Sequence, residues 1–299
     1  MEQTRSPSRT PEQIVADFAL LLDLETRGAD RFMGRYQDGE TGRIFGGQAI
    51  AQALVATRRT VPPEFLIHSL HGYFLRGGTA GQKIEFRVKR DLDGRSFANR
   101  RVVASQNGEA ILSLTASFQK RQPGLAHQQI RMPDVPPPEE LVSDEHIRRE
   151  LATKVSDPQQ REALLRRRPF DFRSVEPRDW LDPQQRKPRS HIWLRTVAPL
   201  SPNPHVHRAA LAYVTDFNLL STVLQPHGVS FQRGDVKIAS LDHALWFHED
   251  FHCDDWLLYV TDSPWTGHSR GFAYGQVFDR NGKLVASVAQ EGMIRDVRE

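Results

Sequence analysis

The stretches SQNGEAILSLTASFQ (105–119) and DRNGKLVASVAQEG (279–292) follow one plan. In each, an Asn-Gly pair, which favours the tight turn of a β-hairpin, precedes a run of apolar and β-branched residues typical of a strand. A second match pairs HSLHGYFL (68–75) with SLDHALWF (240–247) at nearly the same spacing. Two matches at one spacing predict that the chain is an internal duplication.

Each repeat also has one long helix ahead of these strands. The two helices are predicted over 45–60 and 207–225, and proline-containing breakers end both. A helix followed by antiparallel strands favours a sheet curled around that helix, which is an α+β design. A further helix is predicted from Pro11, because Thr10 is a good cap and Gln13 completes a capping box.

The middle of the chain differs in composition from both repeats. Ten of the 19 prolines fall between Pro123 and Pro188, a segment with several arginines and few strand-like runs. We therefore expect an N-terminal domain over 1–122, a Pro/Arg-rich linker with one helix over 123–189, and a C-terminal domain over 190–299.

Bulk composition is that of a globular protein. Hydrophobic residues make up 38% and charged residues 26%, and no apolar run approaches the roughly 18 residues that span a bilayer. The polar start and the single cysteine favour a cytoplasmic protein without membrane insertion. A formal net charge of +3 is compatible with a polyphosphate ligand and does not demand nucleic acid.

One acidic residue stands out in the second predicted helix. Asp216 has Ala212 and Tyr213 behind it and Leu219 and Leu220 ahead, so its own helix face is largely apolar. A covered carboxylate is costly unless it is hydrogen-bonded or retained as a base. The alternative is an aspartate that turns outward or caps a neighbouring element.

Two further polar residues would meet Asp216 if the strands wrap the helix. Gln290 lies on the apolar face of the last predicted strand, and its counterpart in the first repeat is Ala116. An amide on such a face needs hydrogen-bond partners. Ser240 opens a strand and offers a hydroxyl, although a serine in that position commonly has no special role. The first helix has no acidic residue, so only the second repeat carries all three groups.

The string HEDFH places His248, Glu249 and His252 in the H-E-x-x-H order of zinc proteases. That motif binds zinc only on a helix, where histidines four apart share one face. The flanking sequences are strand-like, so we expect a hairpin loop here and no metal site. Cys253 beside the string does not supply a convincing third ligand.

Two other motifs bear on hydrolase chemistry. GRSFA (94–98) approximates a nucleophile elbow, but a strand-like run follows it in place of a helix. FGGQ (45–48) opens a helix with two glycines whose backbone N–H groups could polarise a carbonyl, or which merely permit close packing. His68 and His71 lie three apart in a predicted strand, so they face opposite sides and are poor joint metal ligands.

The chain as a whole resembles the acyl-CoA thioesterase II family of double hot-dog enzymes. The similarity covers most of residues 12–122 and 190–295. The stretches that carry it are RIFGGQAIAQAL, HSLHGYFLRGG, RSFANRRVVASQNG, LTASFQ, YVTDFNLL, LQPHGVSF, IASLDHALWFH, DWLLY, SRGF and VASVAQEG. The chain departs from the family after WFH, where Glu249-Asp250 replaces an Arg-Pro type pair.

The resemblance implies two tandem hot-dog repeats and the hydrolysis of medium- to long-chain fatty acyl-CoA without a cofactor. By motif, the family's water-positioning triad falls on Asp216, Ser240 and Gln290. Gly46, Gly47 and His68 are candidates for contacting the oxyanion or the substrate.

The sequence leaves two other functions open. A hot-dog enoyl-CoA hydratase would need an Asp-His pair, for which the nearest histidines are His205 and His207. A non-catalytic acyl-CoA binding module would bind the same ligand without releasing a thiol. Assembly into a homodimer or homotetramer is compatible with each of these functions.

Overall fold

A computed structural model describes residues 9–37 and 42–298 of the chain. No helix in this part of the chain is both long and apolar enough to cross a lipid bilayer. The first repeat contains α1 (Pro11–Leu22), β1 (Glu25–Gly28), β2 (Arg31–Gly34), α2 (Gly46–Arg58), β3 (Phe65–Phe74), β4 (Ile84–Asp93), β5 (Phe97–Gln106) and β6 (Glu109–Lys120). It is followed by α3 (Asp144–Lys154), α4 (Pro158–Leu165) and β7 (Phe170–Ser174). The second repeat contains β8 (Arg189–Thr196), α5 (Pro204–Val214), α6 (Leu219–Leu224), β9 (Val236–Ser240), β10 (Asp242–Phe247), β11 (Leu257–Gly267), β12 (Arg270–Asp279) and β13 (Leu284–Asp296).

All described strands belong to one antiparallel sheet. Its order is β1-β2-β4-β5-β6-β3-β10-β13-β12-β11-β8-β7, and β9 pairs with β13 beside this path. Read outward from the junction, β3-β6-β5-β4-β2 on one side corresponds to β10-β13-β12-β11-β8 on the other. The two repeats therefore have the same strand plan, and the sheet continues from one into the other.

The junction is a regular strand pair. β3 and β10 run antiparallel, from Asp242 opposite Tyr73 to Trp246 opposite Ser69. On the outer face the ring of His71 packs edge-on against Trp246, with 4.9 Å between ring centroids. Backbone hydrogen bonds thus join the two repeats directly.

The helix α2 lies against the strands of its own repeat and against α5 of the other. It is rich in alanine and almost entirely buried, as expected for a helix surrounded by a sheet. Gly47 permits the contact with α5, because a Cβ there would lie 2.2 Å from the backbone oxygen of Tyr213. This is the predicted α+β architecture of a helix wrapped by antiparallel strands.

Two local signals, the start of one helix and one Asn-Gly turn, are confirmed. Helix α1 begins at Pro11, and the side chains of Thr10 and Gln13 form the expected capping box. The Asn107-Gly108 turn has both residues at positive φ, 50° and 84°, as a tight hairpin turn requires.

The predicted continuous helix over 207–225 is wrong. The structure has two helices, α5 and the short α6, separated at Thr215–Asn218. Asn218 adopts a left-handed conformation with φ 66°, which asparagine tolerates better than most residues. Asp216 therefore sits in a turn between two helices, and it is half-buried.

The segment 123–189 contains more structure than the predicted single helix. It holds α3, α4, a short 3₁₀ turn at Pro138–Glu140, and β7, which pairs with β8 at the edge of the sheet. Its extended start also contacts the second repeat, since Trp193 Nε1 donates to the backbone oxygen of Pro136 at 2.9 Å. The predicted domain boundaries stay a prediction.

Candidate active site

The structure brings Asp216, Ser240 and Gln290 together. The amide nitrogen of Gln290 donates to Asp216 Oδ1 at 2.7 Å and to Ser240 Oγ at 2.8 Å. Both hydrogens of the amide group are thereby used, so Gln290 holds the carboxylate and the hydroxyl at a fixed separation. The three residues are 24 and 50 positions apart in the chain, so only the fold can make this cluster.

Each of the three side chains comes from a different element. Gln290 lies on β13 and is 1% exposed, while half-buried Ser240 is the last residue of β9. β9 pairs with β13 so that Ser240 is opposite Gly292. Asp216 lies in the break between α5 and α6, next to Gln290.

The first repeat contributes Gly46, at the start of α2. A Cβ at this position would lie 2.7 Å from Asp216 Oδ2 and 2.9 Å from the ring of Phe74. No side chain caps the first turn of α2. Gln48 N–H donates to the backbone oxygen of Phe45 at 3.1 Å, so within the described residues the N–H groups of Gly46 and Gly47 are the ones left for an acceptor. The positive end of the helix also favours a carboxylate at this place. The site therefore lies between the two repeats.

A cleft of about 560 Å³ opens beside these residues, with Gly46, Asp216 and Ser240 in its wall. Much of the remaining wall is apolar and includes Ile44, Phe217, Leu220, Leu224 and Ile238. Three arginines, Arg168, Arg178 and Arg186, complete it from the segment between the repeats. A second cleft of about 300 Å³ shares Gly46 and Ser240 with the first.

Buried polar residues lie directly behind Asp216. Tyr259 donates its hydroxyl to the backbone oxygen of Thr215 at 3.0 Å, and burial, together with the Asp216 charge, raises the pKa of Tyr259 well above its usual value. His243 is 1% exposed, and its Nε2 lies 3.2 Å from Thr215 Oγ1. Burial lowers the pKa of His243 below its usual value, so the neutral ring is favoured.

The other candidates have different locations. Gly47 packs against α5, whereas His68 lies on the outer part of β3, where its Nε2 is 2.8 Å from Ser117 Oγ and its ring contacts Phe97. Neither Ser117 nor Phe97 is among the residues that line the cleft at Asp216. The structure therefore does not bring His68 to the site.

The histidines considered for a hydratase are also elsewhere. His205 accepts a hydrogen bond from Arg58 Nε at 2.9 Å, and burial lowers the pKa of His205 to about 4. His207 Nδ1 accepts from the backbone N–H of Cys253 at 3.0 Å. In the described part of the chain the lining of the cleft includes neither histidine.

The H-E-x-x-H string is not helical, and the expected hairpin is wrong. β10 pairs with β3 and β13, whereas β11 pairs with β8 and β12, so the intervening loop connects strands that are not neighbours. His248 Nε2 lies 2.8 Å from Ser287 Oγ. His252 instead approaches a different histidine, His207 of α5.

His207, His252 and Asp254 place one potential ligand atom each within 4.8 Å of the others. The free nitrogen of His207 in this cluster is Nε2, because its Nδ1 accepts from Cys253. A neutral ring that accepts at Nδ1 carries its proton on Nε2, and that nitrogen then has no lone pair for a metal. This tautomer disfavours a metal centre at these three residues.

Two family patterns match the chain, and they fall on the two repeats. The pattern described as acyl-CoA thioesterase matches residues 167–293, and that described as acyl-CoA thioesterase N-terminal domain matches residues 37–119. The chain is 37% identical over 284 residues to human acyl-coenzyme A thioesterase 8, an alignment that covers 92% of this chain and 88% of the human protein. The chain belongs to the acyl-CoA thioesterase family.

Other members of the acyl-CoA thioesterase family agree with this placement. Acyl-CoA thioesterase 2 of Haemophilus influenzae is 33% identical, with 92% of this chain and 96% of that protein aligned. The acyl-CoA thioesterase II TesB2 from Mycobacterium marinum shares 40% sequence identity with this chain. Its crystal structure matches with a TM-score of 0.75, and the match covers 93% of this chain and 98% of that one. The fold also matches a hot-dog protein of unknown function from Alicyclobacillus acidocaldarius at 22% identity and a TM-score of 0.70. The predicted family and double hot-dog fold are confirmed, and with them the class of thioester hydrolase.

Sequence reasoning missed two groups of residues near this site. His243 alternates with Leu245 and Phe247 along β10, and a histidine on such an apolar face was the available signal. Arg178 and Arg186 lie in the segment interpreted as a linker, where nothing in the sequence indicates that they reach the cleft.

Proposed function

We propose that the chain hydrolyses fatty acyl-CoA to a free fatty acid and CoA, with Asp216 as the base that activates water. The observation that supports this most directly is the pair of hydrogen bonds from Gln290 to Asp216 and Ser240 at the wall of the cleft. A carboxylate and a hydroxyl held side by side can both contact one water molecule. Membership of the acyl-CoA thioesterase family supplies the substrate class.

In the proposed reaction Asp216 accepts a proton from water as its oxygen attacks the thioester carbonyl carbon. Ser240 Oγ accepts from Gln290 and keeps its hydroxyl hydrogen and a second lone pair with which to hold the same water. The tetrahedral intermediate then expels the CoA sulfur, which leaves as thiolate or takes the proton from Asp216. No covalent acyl-enzyme is needed.

The oxyanion that forms in this reaction needs hydrogen-bond donors. The uncapped first turn of α2, which begins at Gly46, presents backbone N–H groups beside Asp216. Donors fixed in this way stabilise developing negative charge without reorganisation. The apolar side of the cleft suits an acyl chain of medium to long length. Cytoplasmic location and assembly into a homodimer or homotetramer stay predictions.

The test is the variant Asp216→Asn, which keeps the size of the side chain and removes the base. We expect palmitoyl-CoA turnover to fall by about 10²–10⁴-fold, the usual contribution of such a group, with an unchanged unfolding midpoint. Thiol release is followed with a thiol reagent. Asp30→Asn, at an exposed ion pair with Arg90, is the matched control and should keep full turnover.

The outcomes separate the alternatives. Unchanged turnover in Asp216→Asn would remove this residue from the mechanism. Acyl-CoA binding without thiol release by the unmodified chain would indicate a binding module. Hydration of an enoyl-CoA would indicate a hydratase.

A further inference from the structure

Two arginines of the segment between the repeats line the same cleft as the candidate catalytic residues. Arg178 is half-buried and Arg186 is exposed, and both contribute to the wall that also contains Asp216 and Ser240. The inference drawn from them rests on the proposed function and deepens it.

Neither arginine has an anionic partner within the described residues. Arg178 donates to the backbone oxygen and the hydroxyl of Ser221, at 3.1 Å in each case. Arg186 donates to the backbone oxygen of Pro177 at 2.9 Å. These neutral acceptors orient the guanidinium groups and leave their charge uncompensated.

The two charges also act on each other. The pKa of Arg178 is lowered to about 10, mainly by burial and to a smaller extent by repulsion from Arg186. Glu176 opposes this shift only in part. Placing two like charges together in a partly buried wall costs free energy in the empty protein, and an anion bound between them would remove that cost.

The acidic residues in the cleft wall do not fill this role. Asp179 accepts from the backbone N–H groups of Leu181 and Asp182 and lies 3.6 Å from Lys154. Asp182 also lines the cleft, but it is exposed, its charge acts on Arg233, and no ion pair within the described residues joins it to either arginine. Asp216 is held by Gln290. An anion bound from solution would therefore supply a compensating charge that these residues do not.

We propose that Arg178 and Arg186 bind the phosphate groups of the CoA portion of the substrate. Guanidinium groups match phosphate oxygens in charge and in bidentate geometry. An acyl-CoA carries its phosphates and its thioester in one molecule, so the arginines and the carboxylate of one cleft wall can engage both groups together. The segment 123–189 then supplies substrate affinity as well as a connection.

The experiment compares acyl-CoA with the same acyl group on pantetheine, which lacks the nucleotide phosphates. In the double variant Arg178→Met, Arg186→Met we expect KM for acyl-CoA to rise by about tenfold or more. KM for acyl-pantetheine and kcat for both thioesters should change by less than about twofold. Methionine keeps the apolar stem and removes the charge. Arg189→Met, at an exposed ion pair with Asp262, is the control.

Equal changes in KM for the two thioesters, or no change in either, would overturn the proposal. If the double variant does not fold, Arg186→Met alone decides in the same way, because that side chain is exposed. If the unmodified chain hydrolyses neither thioester, the proposed function has failed. The arginine site is then judged by calorimetric binding of free CoA, which must be present in the unmodified chain and lost in the variant.

His243 lies opposite Gln290 in the sheet, which carries a second inference independent of the arginines. In the antiparallel ladder of β10 and β13, Ala244 pairs with Ala289 and Leu245 with Val288, which sets His243 opposite Gln290. Both side chains are on the buried face and are 1% exposed. Directly opposite residues have Cβ atoms about 4.5–5.5 Å apart.

Each of these two side chains has one buried polar atom without a partner in the described part of the chain. The atoms are His243 Nδ1 and Gln290 Oε1. A buried polar atom left without a partner destabilises the folded state. The other nitrogen of His243, Nε2, lies beside Thr215 Oγ1.

The geometry points to His243 as a positioning residue that donates from Nδ1–H to Gln290 Oε1. Thr215 then donates to the free lone pair of Nε2. The amide of Gln290 is thereby held with its oxygen toward His243 and its nitrogen toward Asp216 and Ser240. His243 is not among the described residues that line the cleft, so it acts through Gln290.

Two substitutions separate the contacts of this ring. Asn places its amide nitrogen near the position of Nδ1, whereas Gln reaches the position of Nε2. We expect His243→Asn to keep kcat within about threefold, and His243→Gln to lower kcat on the order of tenfold with little change in KM. Equal kcat losses in both variants would overturn the proposal.

A measurement on the unmodified chain is independent of how well the variants fold. The ¹⁵N chemical shifts of labelled histidine distinguish the two neutral ring tautomers. We expect His243 to carry its proton on Nδ1. A proton on Nε2 would contradict the assignment, because Nδ1 could then no longer donate to Gln290.

Discussion

At the scale of single residues, the adjacent glycines Gly46 and Gly47 have different roles in one helical turn. The missing side chain of Gly46 leaves room for Asp216, and that of Gly47 leaves room for the backbone of α5. Two glycines at a helix start are compatible with either chemistry or packing when only the sequence is considered. The structure assigns close packing to both and places one of them beside the carboxylate.

Gly46→Ala is therefore expected to impair activity. Its Cβ would meet Asp216 Oδ2 at 2.7 Å, so the carboxylate must move from Gln290. We expect kcat to fall by tenfold or more, about 1.4 kcal/mol in the barrier, as measured by steady-state hydrolysis. Gly124→Ala, where a Cβ meets nothing within 4 Å, is the control. Unchanged kcat in Gly46→Ala would contradict the tight fit between Gly46 and the carboxylate.

Residue chemistry predicted part of the site. An acidic residue among apolar neighbours and an amide on an apolar strand face each need a partner, and this requirement alone singles out Asp216 and Gln290. The prediction of Ser240 depended mainly on the family resemblance, since a serine at the end of a strand is common. His243, Arg178 and Arg186 were missed because their relevance comes only from long-range contacts.

At the scale of elements, the break between α5 and α6 determines where Asp216 lies. The apolar periodicity over 207–225 continues through the break, so the sequence pattern predicts one helix. Hydrophobic periodicity reports which side chains are buried and is insensitive to a single left-handed residue. Periodicity therefore could not predict the break at Asn218. The capped start of α1 depends on adjacent residues and was predicted correctly.

The left-handed conformation of Asn218, with φ 66°, leads to a prediction on stability. Asn218→Ala should lower the free energy of unfolding by about 1 kcal/mol, because a Cβ without a local polar partner disfavours this conformation. Asn218→Gly should leave it nearly unchanged. Urea denaturation of the two variants measures the difference. Equal stabilities would show that the backbone at this break carries no such requirement.

At the scale of the whole molecule, the chain buries several histidines in neutral form. Burial lowers the pKa values of His205, His207 and His243. Their protonation favours the unfolded state, where the rings have their ordinary pKa near 6.5. The overall fold and its duplication were predictable from two sequence matches, but which histidines would be buried was not.

We expect the free energy of unfolding to fall as the pH is lowered from about 6.5 toward 4. Above this window the ring of His205 is neutral in both states, and within it only the unfolded state takes up the proton, because the folded pKa is about 4. His205 faces Arg58 and Arg208, whose charges add to the effect of burial. His205→Gln should make the decline shallower in denaturation experiments at several pH values. His127→Gln, at an exposed position, is the control, and equal profiles in both variants would contradict the assignment.

The duplicated sheet has a consequence for symmetry. In a dimer of separate, identical hot-dog subunits, every substitution is repeated at both equivalent positions. Here the strand pair between β3 and β10 holds the two repeats in one polypeptide, and Ala116 stands where the other repeat has Gln290. On the proposed mechanism only the second repeat carries Asp216, Ser240 and Gln290, so stoichiometric titration with a tight inhibitor should saturate at a single equivalent per polypeptide.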